Sequence, residues 1–147
     1  MSASIAAPSL QRIAAKPALR TKATTHRKAA PPEVHLITTL DAKATRGGAI
    51  LTLTVVNTGR SHVELNFPSG QTHDVAVSDS AGREVWRWST SRMFTQGIQN
   101  RLIGAGSKLT FVERWEPADA PHGHFTAVGV VQSSNHRTEA RTTFVLP

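Results

Sequence analysis

Asn66-Phe67-Pro68-Ser69-Gly70-Gln71-Thr72-His73-Asp74-Val75-Ala76-Val77-Ser78-Asp79, followed after Ser80-Ala81 by Gly82-Arg83-Glu84-Val85-Trp86-Arg87-Trp88-Ser89, is the stretch on which the fold turns. Val75 and Val77 stand two apart, as do Trp86 and Trp88, and in a strand residues two apart share a face. Val85 and Arg87 then fall on the face opposite the indoles. Ser80-Ala81-Gly82 is a turn signal between the two runs, and Pro68-Ser69-Gly70 stops the strand before them, with glycine supplying a positive φ. The pattern is that of antiparallel strands with one face turned to a core. Trp86, Trp88 and Trp115 read as core anchors, each able to bury about 150–250 Å2. The competing reading is an exposed aromatic surface that docks a partner, since Trp and Arg are enriched at binding hot spots. With two indoles on one face, at least one is expected inside.

The same periodicity runs outward in both directions. Val34, Leu36, Thr38 and Leu40 alternate with His35, Ile37 and Thr39; Leu51, Leu53 and Val55 form the apolar face of a strand whose other face is Ile50, Thr52, Thr54 and Val56. Arg46-Gly47-Gly48 and Asn57-Thr58-Gly59 are turns. Val63, Leu65 and Phe67 share a face. Ser89 to Gly106 reads as a long connection in which Met93, Phe94 and Ile98 make one short helical turn. Leu109, Phe111, Glu113 and Trp115 alternate next, then Phe125, Ala127 and Gly129, and a last strand runs from Thr138 to Leu146. Seven to nine short strands with Gly, Pro, Asn and Asp between them predict an all-β, antiparallel sandwich.

The chain has 147 residues, enough for one domain with a tail. Its formal charge of +7 is unevenly placed. Arg12, Lys16, Arg20, Lys22, Arg27 and Lys28 precede Glu33, the first acidic residue, so the excess basicity belongs to residues 1–32. That segment is rich in Ala, Ser, Thr and Pro, lacks a compact apolar run, and reads as a disordered basic leader; its composition is loosely like a transit peptide. Residues 33–147 form the predicted domain, nearly neutral. Six cations without interleaved aromatics make a poor single-strand platform, so no specific nucleic acid is expected. No apolar run reaches the roughly 18–20 residues of a membrane helix, and no membrane span is expected.

Chemistry is thinly represented. The absence of cysteine excludes disulfides, thiolate metal sites and a cysteine nucleophile. Asp119, His122 and His124 share a Pro-Gly loop and His73 adjoins Asp74, but neither group has the spacing of a zinc site, and both read as solvent-exposed histidines. Ser69 lacks a G-x-S-x-G elbow, and Glu113 and Glu116 flank Trp115 without a second carboxylate cluster. No catalytic residue, metal or cofactor is expected, and the chain does not read as an enzyme.

Taken together, Asn57, Ser69-Gly70-Gln71, Asp74, Gly82, Glu84-Val85-Trp86-Arg87-Trp88-Ser89, Phe94, Gln96, Gly106-Ser107, Trp115, Gly123 and Phe125 fall in an order that resembles the BsuPI family of intracellular proteinase inhibitors. The resemblance covers roughly residues 50 to 130. It departs where an aromatic residue commonly flanks the motif's Asp on either side and this chain has His73 and Val75. The resemblance implies an immunoglobulin-like sandwich, a cytoplasmic location, and inhibition of a subtilisin-type serine protease. The motif residues Ser69, Gly70, Gln71, Asp74, Trp86, Trp88, Phe94, Gln96 and Trp115 are expected to be mainly structural. Inhibition requires a loop held by a rigid scaffold, and two are long enough: Ser89 to Gly106, where Arg92 and Met93 offer a long side chain to a specificity pocket, and Glu116 to Gly123, stiffened by Pro117 and Pro121. The first is preferred for its length and apolar content. The alternative is an immunoglobulin-like interaction or assembly module without inhibitory activity.

Overall fold

The structure is a computed structural model and describes residues 34–147. The leader reading of residues 1–32 lies outside the described residues. Among the described residues nine strands follow in order: β1 (Leu36–Thr45), β2 (Gly48–Asn57), β3 (Val63–Phe67), β4 (His73–Asp79), β5 (Glu84–Arg87), β6 (Gln99–Ile103), β7 (Lys108–Trp115), β8 (Gly123–Val131) and β9 (Thr138–Leu146). They form a three-stranded sheet in the order β1-β2-β7, a four-stranded sheet in the order β9-β8-β4-β5, and a two-stranded ribbon of β3 with β6. Every pairing is antiparallel. This is the all-β antiparallel sandwich that the spacing predicts, of the immunoglobulin-like type that the resemblance implies.

Register follows from the turns and the apolar alternation. Thr45 pairs with Gly48, which leaves Arg46-Gly47 as a two-residue turn with Gly47 at φ 86°. Leu51, Leu53 and Val55 of β2 are fully buried, as are Val77 of β4 and Ala127 and Val131 of β8. These inner faces meet closely. A Cβ placed on Gly129 of β8 would lie 2.8 Å from Leu53 Cδ1, so the absence of a side chain lets the two sheets touch there.

The connection after β5 differs from the expectation. Trp88 to Ser91 form a turn, residues 92–98 have no helical segment, and Gln99–Ile103 is a strand paired with β3. Asn100, Arg101 and Leu102 are all exposed, so β6 shows no apolar alternation by which its periodicity could be recognised. What fixes it is tertiary pairing. The opposite edge of β3 is closed by the β8–β9 loop: Ser134 N donates to Asn66 O, and the Asn135 side chain accepts from Asn66 N and donates to Glu64 O.

Asn57 joins these parts at the end of β2. Its side chain donates to Ser61 O at 2.8 Å and Ile103 O at 3.0 Å and accepts from Gly59 N at 3.0 Å. Its backbone exchanges hydrogen bonds with Ser107 and Gly106. The residues Asn57 and Gly106-Ser107, far apart in sequence, are thus one hydrogen-bonded corner.

Candidate functional site

The Ser89–Ile98 segment leaves the sandwich at the end of β5, and its first residues are tied down on both faces of the sheet. On the outer face stands Asp74 of β4, almost completely buried. Its Oδ2 accepts from Ser89 Oγ at 2.6 Å and from Arg87 Nη1 at 3.0 Å, and its Oδ1 accepts from Ser89 N at 3.1 Å. One carboxylate therefore holds both the last residue of β5 and the first of the loop through charge-assisted bonds. Arg87 also donates two bonds to the Glu84 carboxylate, and these two acids, Glu84 first, push its already high pKa higher. Arg87 is thus half-buried and doubly paired, where the alternation alone predicts an exposed cation.

On the inner face the sequence alternation brings Trp88 into register with Val75, to whose carbonyl it donates its backbone N–H. The indole stacks on His73 at 4.4 Å between ring centroids, and the other face of His73 stacks on Phe111 of β7 at 4.1 Å. Phe94 meets the indole at 5.7 Å, and the Arg92 guanidinium lies 4.5 Å from its centroid. Arg92, Trp88, His73 and Phe111 thus form a column from solvent into the core, with Phe94 packed against the indole.

His73 is buried, correcting the expectation of an exposed histidine; its two aromatic neighbours exclude water. Its Nε2 is 2.7 Å from Glu113 Oε2 and its Nδ1 is 2.9 Å from Thr72 Oγ1. A neutral ring meets both partners, with Nε2–H donating to the carboxylate and Nδ1 accepting from the hydroxyl. Burial lowers the pKa below the ordinary 6.5; Glu113, by hydrogen bond and charge, and Asp74, by charge, oppose this, and Arg101 adds to it. The unfolded chain therefore takes up a proton near pH 6.5 and the folded chain only at lower pH, so this contribution to stability is full above pH 6.5 and is lost as pH falls below it. Urea midpoints measured from about pH 7.5 to 4.5 are expected to fall on the acid side, and His73→Phe, which keeps the stack, is expected to flatten that fall.

The far side of the segment rests on Ser69-Gly70-Gln71. Gly70 N donates to Thr95 O at 2.8 Å, and Ser69 Oγ accepts from Gln71 N at 3.1 Å. A Cβ on Gly70 would meet Thr95 N at 3.1 Å and collide with its hydroxyl, so glycine is required by the close approach of the loop. Ser91 takes φ 73°, which turns the chain sharply, and Arg92 N donates to Ser89 O at 3.2 Å. Arg92 Nε donates to Trp88 O at 3.0 Å. Met93, next in the chain, is 97% exposed.

Gly70, Asp74 and Trp88 therefore all hold the one loop, Phe94 lies on it against the Trp88 ring, and Ser69 and Gln71 flank Gly70 with a hydrogen bond to each other. Gln96 is exposed on it. Trp86 and Trp115 belong to a separate cluster: Trp86 lies 6.5 Å from Trp115, which meets Phe125 edge-on at 5.2 Å and Phe144 at 6.2 Å. Trp115 is buried, and Trp86 and Trp88 are half-buried against the core. The second loop considered, Glu116 to Gly123, leads into the start of β8, whereas His73 pairs with Val131 at its end. The two loops stand at opposite ends of the sandwich and cannot form one surface. The second carries no large exposed apolar side chain; His122 Nδ1 bonds Pro147 O at 2.7 Å.

Among the described residues no three His, Asp or Glu side chains converge to hold a metal ion, and no helix is long and apolar enough to cross a membrane. Among curated proteins none matches the chain. Solved structures similar to it include a β-glucosidase from Erythrobacter marinus, at 16% identity and TM-score 0.43 over 78% of this chain and 16% of that one. They also include the CARDB domain of a Pyrococcus furiosus protein, at 15% identity and TM-score 0.42 over 76% of this chain and 87% of that one. The β-glucosidase 3B of Thermotoga neapolitana shares 13% identity at TM-score 0.44 over 77% of this chain and 16% of that one. The chain thus spans about a sixth of the β-glucosidases it matches. The family model for BsuPI, the intracellular proteinase inhibitor, covers residues 36–136, nearly the whole sandwich, and the chain belongs to that family.

Proposed function

We propose that this protein inhibits a serine protease of the subtilisin type, and that the Ser89–Ile98 loop is the part that enters the protease cleft. The observation that carries this reading is an exposed apolar residue, Met93, on a loop gripped from three sides by Asp74, Gly70 and the Trp88 column. An inhibitory segment loses less entropy on binding when its backbone is already held in place, and pre-organisation is the main source of tight loop-mediated binding. A stable complex also needs on the order of 800 Å2 from each partner, more than one side chain provides. The loop runs directly into β6; Ile98 at its end is 78% exposed and Leu102 of β6 is 65% exposed, and both add apolar area.

The test is a titration of a subtilisin-type protease with the full chain, following residual activity on a small substrate and the integrity of the chain. Stoichiometric loss of activity with the chain intact supports the reading. Full activity across a panel of such proteases rejects it and leaves the interaction-module reading in its place.

A further inference from the structure

The loop offers two long side chains in succession, Arg92 and Met93, and a protease pocket that accepts one class rejects the other. The geometry points to Met93 as the side chain that fills the specificity pocket and to Arg92 as a positioning residue, so that the target is a protease with an apolar primary pocket. This inference rests on the inhibitory reading of the loop.

Arg92 is already engaged. Its guanidinium lies over the Trp88 ring, its Nε donates to Trp88 O, and its backbone N–H donates to Ser89 O. To enter a pocket it would have to give up both the stack and the hydrogen bond. Phe94, on the other side of Met93, is half-buried against the same indole, and Thr95 O is held by Gly70. The residues before and after Met93 thus grip one ring, while Met93 between them stands in solvent. Met93 is the most exposed large apolar residue in the described structure, at 97%. An unbranched thioether suits a deep apolar slot and has nothing to pair with a carboxylate at a pocket base.

The experiment measures inhibition constants of the full chain and its variants against a subtilisin-type protease with an apolar pocket and against trypsin, whose pocket carries a carboxylate. Met93→Ala is expected to weaken inhibition of the former on the order of 100-fold, and Met93→Leu by less than about threefold. Met93→Arg is expected to lose the subtilisin-type target and gain trypsin. Arg92→Ala is expected to weaken, by about the same factor of roughly ten, both the parent on its target and Met93→Arg on trypsin, because it acts through loop geometry; Arg92→Lys, which keeps a cation over the indole, recovers part of that loss. If the parent inhibits and Met93→Ala matches it, Met93 is not the pocket residue. A neutral Met93→Ala beside an inactive Arg92→Ala would assign the pocket to Arg92. Absence of inhibition by the parent would instead overturn the inhibitory reading itself.

Discussion

Asn57→Ala is expected to lower the unfolding free energy by about 3 kcal/mol, at roughly 1 kcal/mol for each of three side-chain hydrogen bonds. Asn57 is completely buried, so water cannot replace the lost partners without entering the corner. Ile103 O and Ser61 O would lose a donor and Gly59 N an acceptor, at the point where β2, the β3–β6 ribbon and the Gly106-Ser107 turn meet. Asn57→Asp is the sharper variant. It keeps the acceptor for Gly59 N but turns a carboxylate oxygen toward two carbonyl oxygens, and its cost is expected to equal or exceed that of alanine. A fall in the urea midpoint with an unchanged slope on denaturant is the signature to look for. A loss below about 1 kcal/mol for both variants would mean that the corner is not held by this side chain.

Trp88→Ala is expected to act on two readouts. Removing a half-buried indole that touches His73, Phe94 and Arg92 should cost about 2–3 kcal/mol, below the 3–5 kcal/mol of a fully buried aromatic. The loop should lose its inner anchor while Asp74 still holds Ser89, so amide exchange should rise over residues 91–96 more than in the sheets. On the proposed function, inhibition should weaken on the order of 100-fold at a temperature where the variant remains folded, because the loop must then be ordered at the moment of binding. Trp88→Phe, which keeps a ring against His73, should recover most of the stability and part of the inhibition. Unchanged exchange in the loop would show that the Asp74 and Gly70 contacts suffice without the indole.

Much of this architecture was legible in the sequence because period-two alternation reports directly on a half-buried strand. Leu51, Leu53 and Val55, or Phe125 and Ala127, announce their faces without help. β6 was not legible, because its exposed residues mix polar and apolar types and its strand character comes from pairing with β3. The site was legible only in outline. Asp74, Trp88 and Gly70 stood out as motif residues, yet their common purpose is a loop-anchoring geometry that no spacing reveals, since Gly70 and Thr95 meet only in space. In the sequence a histidine beside an aspartate resembles a surface pair; the burial of His73 depends on Phe111 of β7 and Trp88 after β5, which meet it only in the folded chain. Arg92 and Met93 were indistinguishable as candidates until the stack on Trp88 separated the held side chain from the presented one.

The claim that the Ser89–Ile98 loop occupies the protease cleft is tested most directly by comparing the affinity of the full chain for a subtilisin-type protease with its active-site serine free and with that serine capped by a bulky sulfonyl group. A loop that fills the cleft competes with the cap, and affinity is expected to fall on the order of 100-fold or more. Equal affinity for the free and capped enzymes would place the contact outside the cleft and contradict the account.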